Sequence, residues 1–273
     1  MNLSLCTITF RHELLSLAEL TDWARANRFA GIEMWGGHAR SLKHREIYDA
    51  DWLKAKGMYV SMLSDYIDFT KCEADFLSAA EELLEMTTNW NCKKLRVFAG
   101  SKGSDVMPFH ERVQLVIYLK QLCALAEARG IYVLVETHPN TFADSLRSTQ
   151  WLLDEVGHDH LRLNFDVLHV WESGADPVEA FHKLEAQIMH VHLKNVSERS
   201  KLGVFAPGNV YSASGSREGM VSLFDGELDF QHFFDACDLE HLDASLEWFG
   251  RDIYAVLASD AAKLASLRGL ARC

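Results

Sequence analysis

Glu136, Asp166, His192 and Glu247 fall at or near the ends of four short, mostly apolar runs (131–136, 161–166, 188–194 and 244–247) in a chain of 273 residues. If those runs are neighbouring parallel strands of an α/β barrel, their carboxyl ends gather at one mouth, where such barrels keep their chemistry. Three carboxylates brought together repel, and each would have its pKa pushed up unless a cation stood among them. A divalent metal relieves that repulsion. Three oxygen donors and one imidazole suit Mn²⁺ or Mg²⁺, with Co²⁺ also admitted, better than the sulfur-rich tetrahedral sites of structural zinc. Taken singly, a strand-terminal acid often caps the following helix, and a histidine is often a satisfied core group. Four such ends together are harder to explain as caps.

His138 and Lys194 each stand two residues beyond a proposed ligand. Alternation along a strand puts i and i+2 on one face, so both are expected over the metal on the substrate side. A neutral histidine can remove a proton near pH 7, and a lysine beside a carbonyl can stabilise an oxyanion or transfer a proton. Lys194 could equally form an ion pair with a ligand carboxylate. Arg96, at the end of a fourth strand, and Arg217, in a long loop, are candidates for binding a substrate carboxylate, or for structural salt bridges. His190 points the same way as His192 but lies deeper, which gives it a structural or supporting place. Tyr66, Trp171, Tyr211 and Trp248 lie beside the strand ends and could wall a pocket for a ring, although core packing explains a tryptophan as well.

The elements that must position these groups alternate from end to end. Eight β-type runs (3–8, 31–35, 59–63, 95–98, 131–136, 161–166, 188–194 and 244–247) are separated by amphipathic segments. Ser16 and Glu19 form a capping-box pair, Gly130 is placed to end a long helix, and Asp176-Pro177 reads as an N-cap followed by proline at the first helical position. Near-continuous apolar strands separated by helices indicate a parallel sheet buried on both faces. Eight units fit a closed (β/α)8 TIM barrel of α/β class, one domain over 1–273. The stretch 195–227, rich in Gly, Ser and Asn, exceeds the usual loop length and is expected to be a functional lid rather than a disordered insertion.

Composition narrows the function. Hydrophobic residues make up 48% and charged residues 24%, which describes a globular chain with material for a large core. The net charge of −12 disfavours non-specific binding to nucleic acid or to an acidic membrane. No apolar run approaches the roughly 18 residues of a membrane span, and no leader pattern opens the chain. Six cysteines (Cys6, Cys72, Cys92, Cys123, Cys237 and Cys273) show no paired spacing and are expected to be reduced, which points to the cytoplasm. Exposed barrel helices leave a homo-oligomer open. No GxGxxG turn, P-loop or GxSxG elbow is present, which removes the commonest dinucleotide, nucleotide and serine-hydrolase readings.

The segments Ser4-Leu5-Cys6-Thr7-Ile8-Thr9-Phe10-Arg11-His12, Arg96-Val97-Phe98-Ala99-Gly100 and Glu136-Thr137-His138-Pro139-Asn140-Thr141 carry a resemblance. So do Trp171-Glu172-Ser173-Gly174-Ala175-Asp176-Pro177 and Ser245-Leu246-Glu247-Trp248-Phe249-Gly250. Together they are similar to the bacterial 3-dehydroshikimate dehydratases of the petrobactin-biosynthesis type, within the xylose-isomerase-like barrel superfamily. The resemblance implies a divalent metal on Glu136, Asp166, His192 and Glu247. It also implies substrate contacts or catalytic roles for Tyr66, Arg96, His138, His169, Lys194 and Tyr211. Arg217 matches an arginine of the family although its neighbours differ, and nothing is carried over beyond Ala255.

The reaction implied is loss of water from 3-dehydroshikimate to give protocatechuate, for siderophore synthesis or aromatic catabolism. The expected course has the metal polarise the ring ketone, His138 take the C4 proton, and Lys194 help stabilise the enolate before the C5 hydroxyl leaves. Arg96 or Arg217 would hold the carboxylate. The nearest rival is a ketose 3-epimerase or sugar isomerase on the same barrel, in which the metal-bound glutamates transfer the proton. An abasic-site endonuclease would need a multi-metal cluster and a basic groove. A non-catalytic sugar-acid-binding barrel would have no reason to keep four convergent ligands together with a base.

Overall fold

Strand alternation sorts this chain into two interiors. The computed structural model describes residues 1–45 and 47–270. Eight parallel strands close into a barrel: β1 (Asn2–Cys6), β2 (Gly31–Trp35), β3 (Tyr59–Ser64), β4 (Lys94–Val97), β5 (Tyr132–Glu136), β6 (Leu161–Asp166), β7 (Ile188–Leu193) and, after two short strands outside the barrel, β10 (Asp243–Leu246). Neighbours follow chain order, and β1 closes the ring against β10. One residue of each pair points outward to the helices, where Val133, Val135, Phe165, Val191 and Leu193 join the main apolar cluster. Fully burying such a side chain contributes roughly 1.5–3 kcal/mol.

The inward residues are mostly polar. Ser4, Arg96, Asn164, His190, His192 and Ser245 are all buried. Met62 and Leu134 are buried apolar side chains that stand outside the main cluster. At the amino-terminal end of the barrel Lys94 Nζ donates to Asp243 Oδ2 at 2.5 Å, and Tyr59 donates to the other oxygen at 2.7 Å. The largest apolar core therefore lies between strands and helices, and the barrel axis is lined mostly by buried polar side chains.

Local signals place the helices. Ser16 caps the helix Leu17–Ala26 in a reciprocal box with Glu19, and Asp176 caps Pro177–Leu184. Gly130 adopts a positive φ two residues past Ala128, the cap of Phe109–Glu127. The strand bounds differ slightly from expectation. The last barrel strand ends at Leu246, which leaves Glu247 just beyond it.

The stretch 195–227 departs from the irregular loop expected of it. It holds an antiparallel pair, β8 (Asn195–Val196) with β9 (Met220–Val221), a 3-10 turn Arg199–Phe205 and a short helix Pro207–Tyr211. The Asn195 amide knots its two ends, donating to Leu223 O and Leu228 O at 2.7 and 2.8 Å. Gly226 is needed there, since a Cβ would stand 2.3 Å from the Asn195 amide group. Arg11 donates to Val210 O at 2.7 Å, and Arg217 donates to Asn209 O and Ser212 O. Two guanidinium groups thus hold the carbonyls around the segment that carries Tyr211.

Cys6, Cys72, Cys92, Cys123 and Cys237 are free thiols, and Cys273 lies outside the described residues. No helix among the described residues is long and apolar enough to cross a membrane.

Candidate active site

His192 is the centre of the mouth. Its Nδ1 lies 3.5 Å from Glu136 Oε1, 3.7 Å from Asp166 Oδ2 and 3.4 Å from Glu247 Oε2, with no hydrogen-bond partner among the described residues. The structure thus brings together the four groups singled out at the strand ends, each on its own strand or just past it. Parallel register puts them level: Asp166 pairs with His192, and His192 with Ser245, two residues before Glu247.

Lys194 Nζ reaches Asp166 Oδ2 at 2.5 Å and Glu247 Oε2 at 2.6 Å, the ion pair left open by the sequence. Burial alone would lower its pKa, but Asp166, Glu247 and Glu136 outweigh that and hold it well above the ordinary lysine value. Arg96 Nε lies 3.0 Å from Glu136 Oε2, and both side chains are buried. Burial would raise the pKa of Glu136, yet Arg96 outweighs it, with help from His192 and Lys194, and brings the carboxyl to about 2. Nη1 of Arg96 has no partner among the described residues. The guanidinium rests over the rings of Phe98 and Tyr66 at 4.6 and 5.7 Å.

Glu33 was missed at the sequence level. It is fully buried in β2, 2.9 Å from His192 Nε2 through Oε2, and its other oxygen accepts from Ser64 Oγ. A lone carboxylate inside the apolar run Gly31-Ile32-Glu33-Met34 was the available signal, because a charge is almost never fully buried unless paired.

Charge tests whether the group fits a cation. Four buried carboxylates (Glu33, Glu136, Asp166 and Glu247) face two permanent cations, Arg96 and Lys194, which leaves two negative charges around a neutral His192. That deficit matches one divalent ion. Without it the imidazole tends to take up a proton: burial lowers its pKa, but Glu247, Glu33 and Glu136 push it well up. The mostly oxygen donor set with one imidazole, and the unpartnered Nδ1 facing it, suit a divalent metal.

The remaining candidates divide. Tyr66, Arg96, His138, His169, Lys194 and Tyr211 line one pocket with Glu136 and Glu247, roofed by Phe205, Pro207 and Phe249. This pocket opens, past Tyr66, Phe98 and His138, into a cavity of about 600 Å³. The phenols of Tyr66 and Tyr211 meet at 2.6 Å. His138 Nδ1 faces Pro139 O at 2.7 Å, which requires Nδ1–H and leaves the Nε2 lone pair free. Burial, with His169 adding, lowers the His138 pKa to about 3, so the ring is neutral at pH 7. His169 Nδ1 lies 2.7 Å from Glu172.

Arg217 is not brought to this pocket; its guanidinium is committed to the carbonyls of Asn209 and Ser212, and it lines a separate cleft with Trp248. Trp171 is also elsewhere, stacked under Arg199 at 3.8 Å. The aromatic walls are Tyr66, Phe98, Phe205, Tyr211 and Phe249. His190 donates from Nε2 to Ser245 Oγ at 2.7 Å, deeper along the axis, as its position in the strand implied.

Comparison with known proteins agrees with this fold. The model of the family described as "Xylose isomerase-like TIM barrel" matches residues 21–272. The chain is 44% identical to the 3-dehydroshikimate dehydratase of Bacillus anthracis over 95% of each protein. A crystal structure of the probable 3-DHS dehydratase involved in petrobactin synthesis from Bacillus anthracis superposes with a TM-score of 0.91 at 40% identity, covering 97% of this chain and 99% of the other. The IOLI protein with a binding zinc atom shares the fold, with a TM-score of 0.73 at 17% identity over 97% of this chain and 95% of that one.

Proposed function

From the premise that this chain belongs to the xylose isomerase-like TIM barrel family, we propose that it is a hydro-lyase converting 3-dehydroshikimate to protocatechuate and water. The observation that carries this reading is the near-full-length 44% identity to the Bacillus anthracis dehydratase. A pocket pairing a free guanidinium nitrogen with a neutral histidine supports it, as these are what a carboxylate-bearing substrate with an acidic C–H needs. The role of the Bacillus anthracis relative in petrobactin synthesis supports siderophore assembly as the destination of the product.

Glu136, Asp166, Glu247 and His192 Nδ1 would hold the divalent cation, with Mn²⁺, Mg²⁺ or Co²⁺ as candidates. When bound it supplies Lewis acidity toward the ring ketone and so acidifies the neighbouring C4 proton. His138 Nε2 takes that proton, being neutral and bare at pH 7. Lys194, kept as an ammonium by Asp166 and Glu247, donates a hydrogen bond to the oxygen that gains charge. The C4–H electron pair forms the C4–C5 double bond as the C5–O bond breaks, and the hydroxide leaves as water with one proton. Loss of a C6 proton, matched by protonation at the ketone oxygen, completes the aromatic ring. Arg96 binds the substrate carboxylate, while Tyr66, Tyr211 and Phe205 shield the ring from water.

The test is a dehydratase assay followed by catechol absorption, with and without EDTA and with metal add-back. We expect activity lost on chelation and restored by one of the three metals. No catechol acid from 3-dehydroshikimate under any metal, or epimerisation of a ketose instead, would overturn the reading.

A further inference from the structure

Glu33 is a buried carboxylate that the proposed chemistry leaves without a task. It bears no solvent exposure, and burying a lone charge costs several kcal/mol unless it is paired and hydrogen-bonded. Its two oxygens have different partners. Oε1 accepts from Ser64 Oγ at the end of β3, and Oε2 lies 2.9 Å from His192 Nε2. A carboxylate can only accept, so Nε2 must carry the proton. That leaves the His192 lone pair on Nδ1, the atom facing Glu136, Asp166 and Glu247.

His190 does not compete for this partner. Lys94 Nζ lies 3.3 Å from its Nδ1, so Nδ1 accepts, and Nε2–H is committed to Ser245 Oγ at 2.7 Å. The same contacts argue against reading Glu33, His190 and His192 as a second cation site, although their ligand atoms lie close together. The pairing of β2 with β3 shifts between Ile32 and Glu33, matching Glu33 with Met62 and Trp35 with Ser64.

We propose that Glu33, aimed by Ser64, is a positioning residue that fixes the Nε2–H tautomer of His192 and so presents Nδ1 to a divalent cation. Partners of this kind behind a metal-binding histidine are commonly worth 10–100-fold in affinity. The proposal rests on the metal-centre reading above, and the experiment separates the two.

Full-length protein stripped by chelation is titrated with Mn²⁺ against a fluorescent competitor, for wild type, Glu33→Gln, Glu33→Ala and Ser64→Ala. Wild type should bind one Mn²⁺ per chain. Glu33→Ala should bind about 10–100-fold more weakly, Glu33→Gln about tenfold, because the amide keeps an acceptor but loses the charge, and Ser64→Ala several-fold. In Zn²⁺-loaded wild type, nitrogen NMR should show a His192 Nε2–H proton protected from exchange, and Glu33→Ala should lose that protection. Equal Mn²⁺ affinity in folded Glu33→Gln, or a second Mn²⁺ per wild-type chain that Glu33→Ala removes, would overturn the proposal. Failure of wild type to bind any divalent ion would instead sink the metal centre itself. Should Glu33→Ala not fold, the near-isosteric Glu33→Gln decides alone.

Discussion

Arg96 faces Glu136 with Nε at 3.0 Å, while its Nη1 is buried with no hydrogen-bond partner among the described residues. One edge of the guanidinium is therefore spent on a proposed metal ligand, and another is left for an incoming anion. A lysine lacks the planar fork that holds donors along two fixed directions from one delocalised charge. Arg96→Lys should raise KM for 3-dehydroshikimate about 10–100-fold, the worth of a hydrogen bond to a charged group, with a smaller change in kcat. Steady-state kinetics decide it; an unchanged KM would take Arg96 out of substrate binding.

His138 lies in the pocket with its ring against those of Phe98 and His169, at 4.6 and 4.4 Å between centroids. His138→Ala should leave Mn²⁺ affinity within about twofold while lowering kcat by about 10²–10⁴, the usual contribution of a general base. Parallel titration and turnover measurements separate these. Normal turnover would remove the histidine from the mechanism.

Lys194 stabilises two of the three carboxylates that a cation would. Lys194→Met should therefore destabilise the metal-free protein by about 3–5 kcal/mol, as expected when one partner of a buried pair is removed. Mn²⁺ should recover much of that loss, so the gap between metal-free and metal-loaded melting temperatures should widen relative to wild type. Turnover should fall about 10²-fold or more even when loaded. Thermal melts with and without Mn²⁺ test the stability part, and an unchanged gap would show that Lys194 does not share the cation's place.

Asp243, at the opposite end of the barrel, gives the acid limb of stability. Burial would raise its pKa, but the charge and hydrogen bond of Lys94 and the hydrogen bond of Tyr59 outweigh it, and the carboxyl lies below its ordinary value. The stability from a depressed carboxyl is present above the unfolded value of about 3.9 and is lost as pH falls through the folded one. Asp243→Asn should destabilise the protein by about 3 kcal/mol at pH 7 by leaving the buried Lys94 without a counter-charge, and should flatten the loss of stability below about pH 4. Denaturant unfolding across pH measures both, and kcat should stay within about twofold.

The strands that carry the proposed ligands were legible because a polar residue at the end of an apolar run breaks the pattern where barrels keep their chemistry. Glu136, Asp166 and Glu247 do so. The Ser16 and Asp176 caps were legible because capping is local, needing a partner only three residues away. Glu33 was not read, because it interrupts its strand in the middle, and its meaning comes from His192, 159 residues along the chain. Arg217 was misplaced for the converse reason. An arginine in a polar loop looks free in sequence, and only the folded segment shows the three carbonyl oxygens that occupy it. The internal structure of the stretch 195–227, expected as a lid, was not read because β8 and β9 are too short to leave a periodic pattern.

The separation of an oily outer layer from a charged axis has a practical meaning. Heat tolerance can be engineered by repacking Phe165, Phe181 and Phe233 beneath the helices without disturbing catalysis. Selectivity, in turn, can be evolved at the aromatic walls of the mouth, apart from the buried ion pairs of Arg96 and Lys194. The column in between tolerates least change where Lys94, His190, Ser245, Glu33 and His192 hold one another in place.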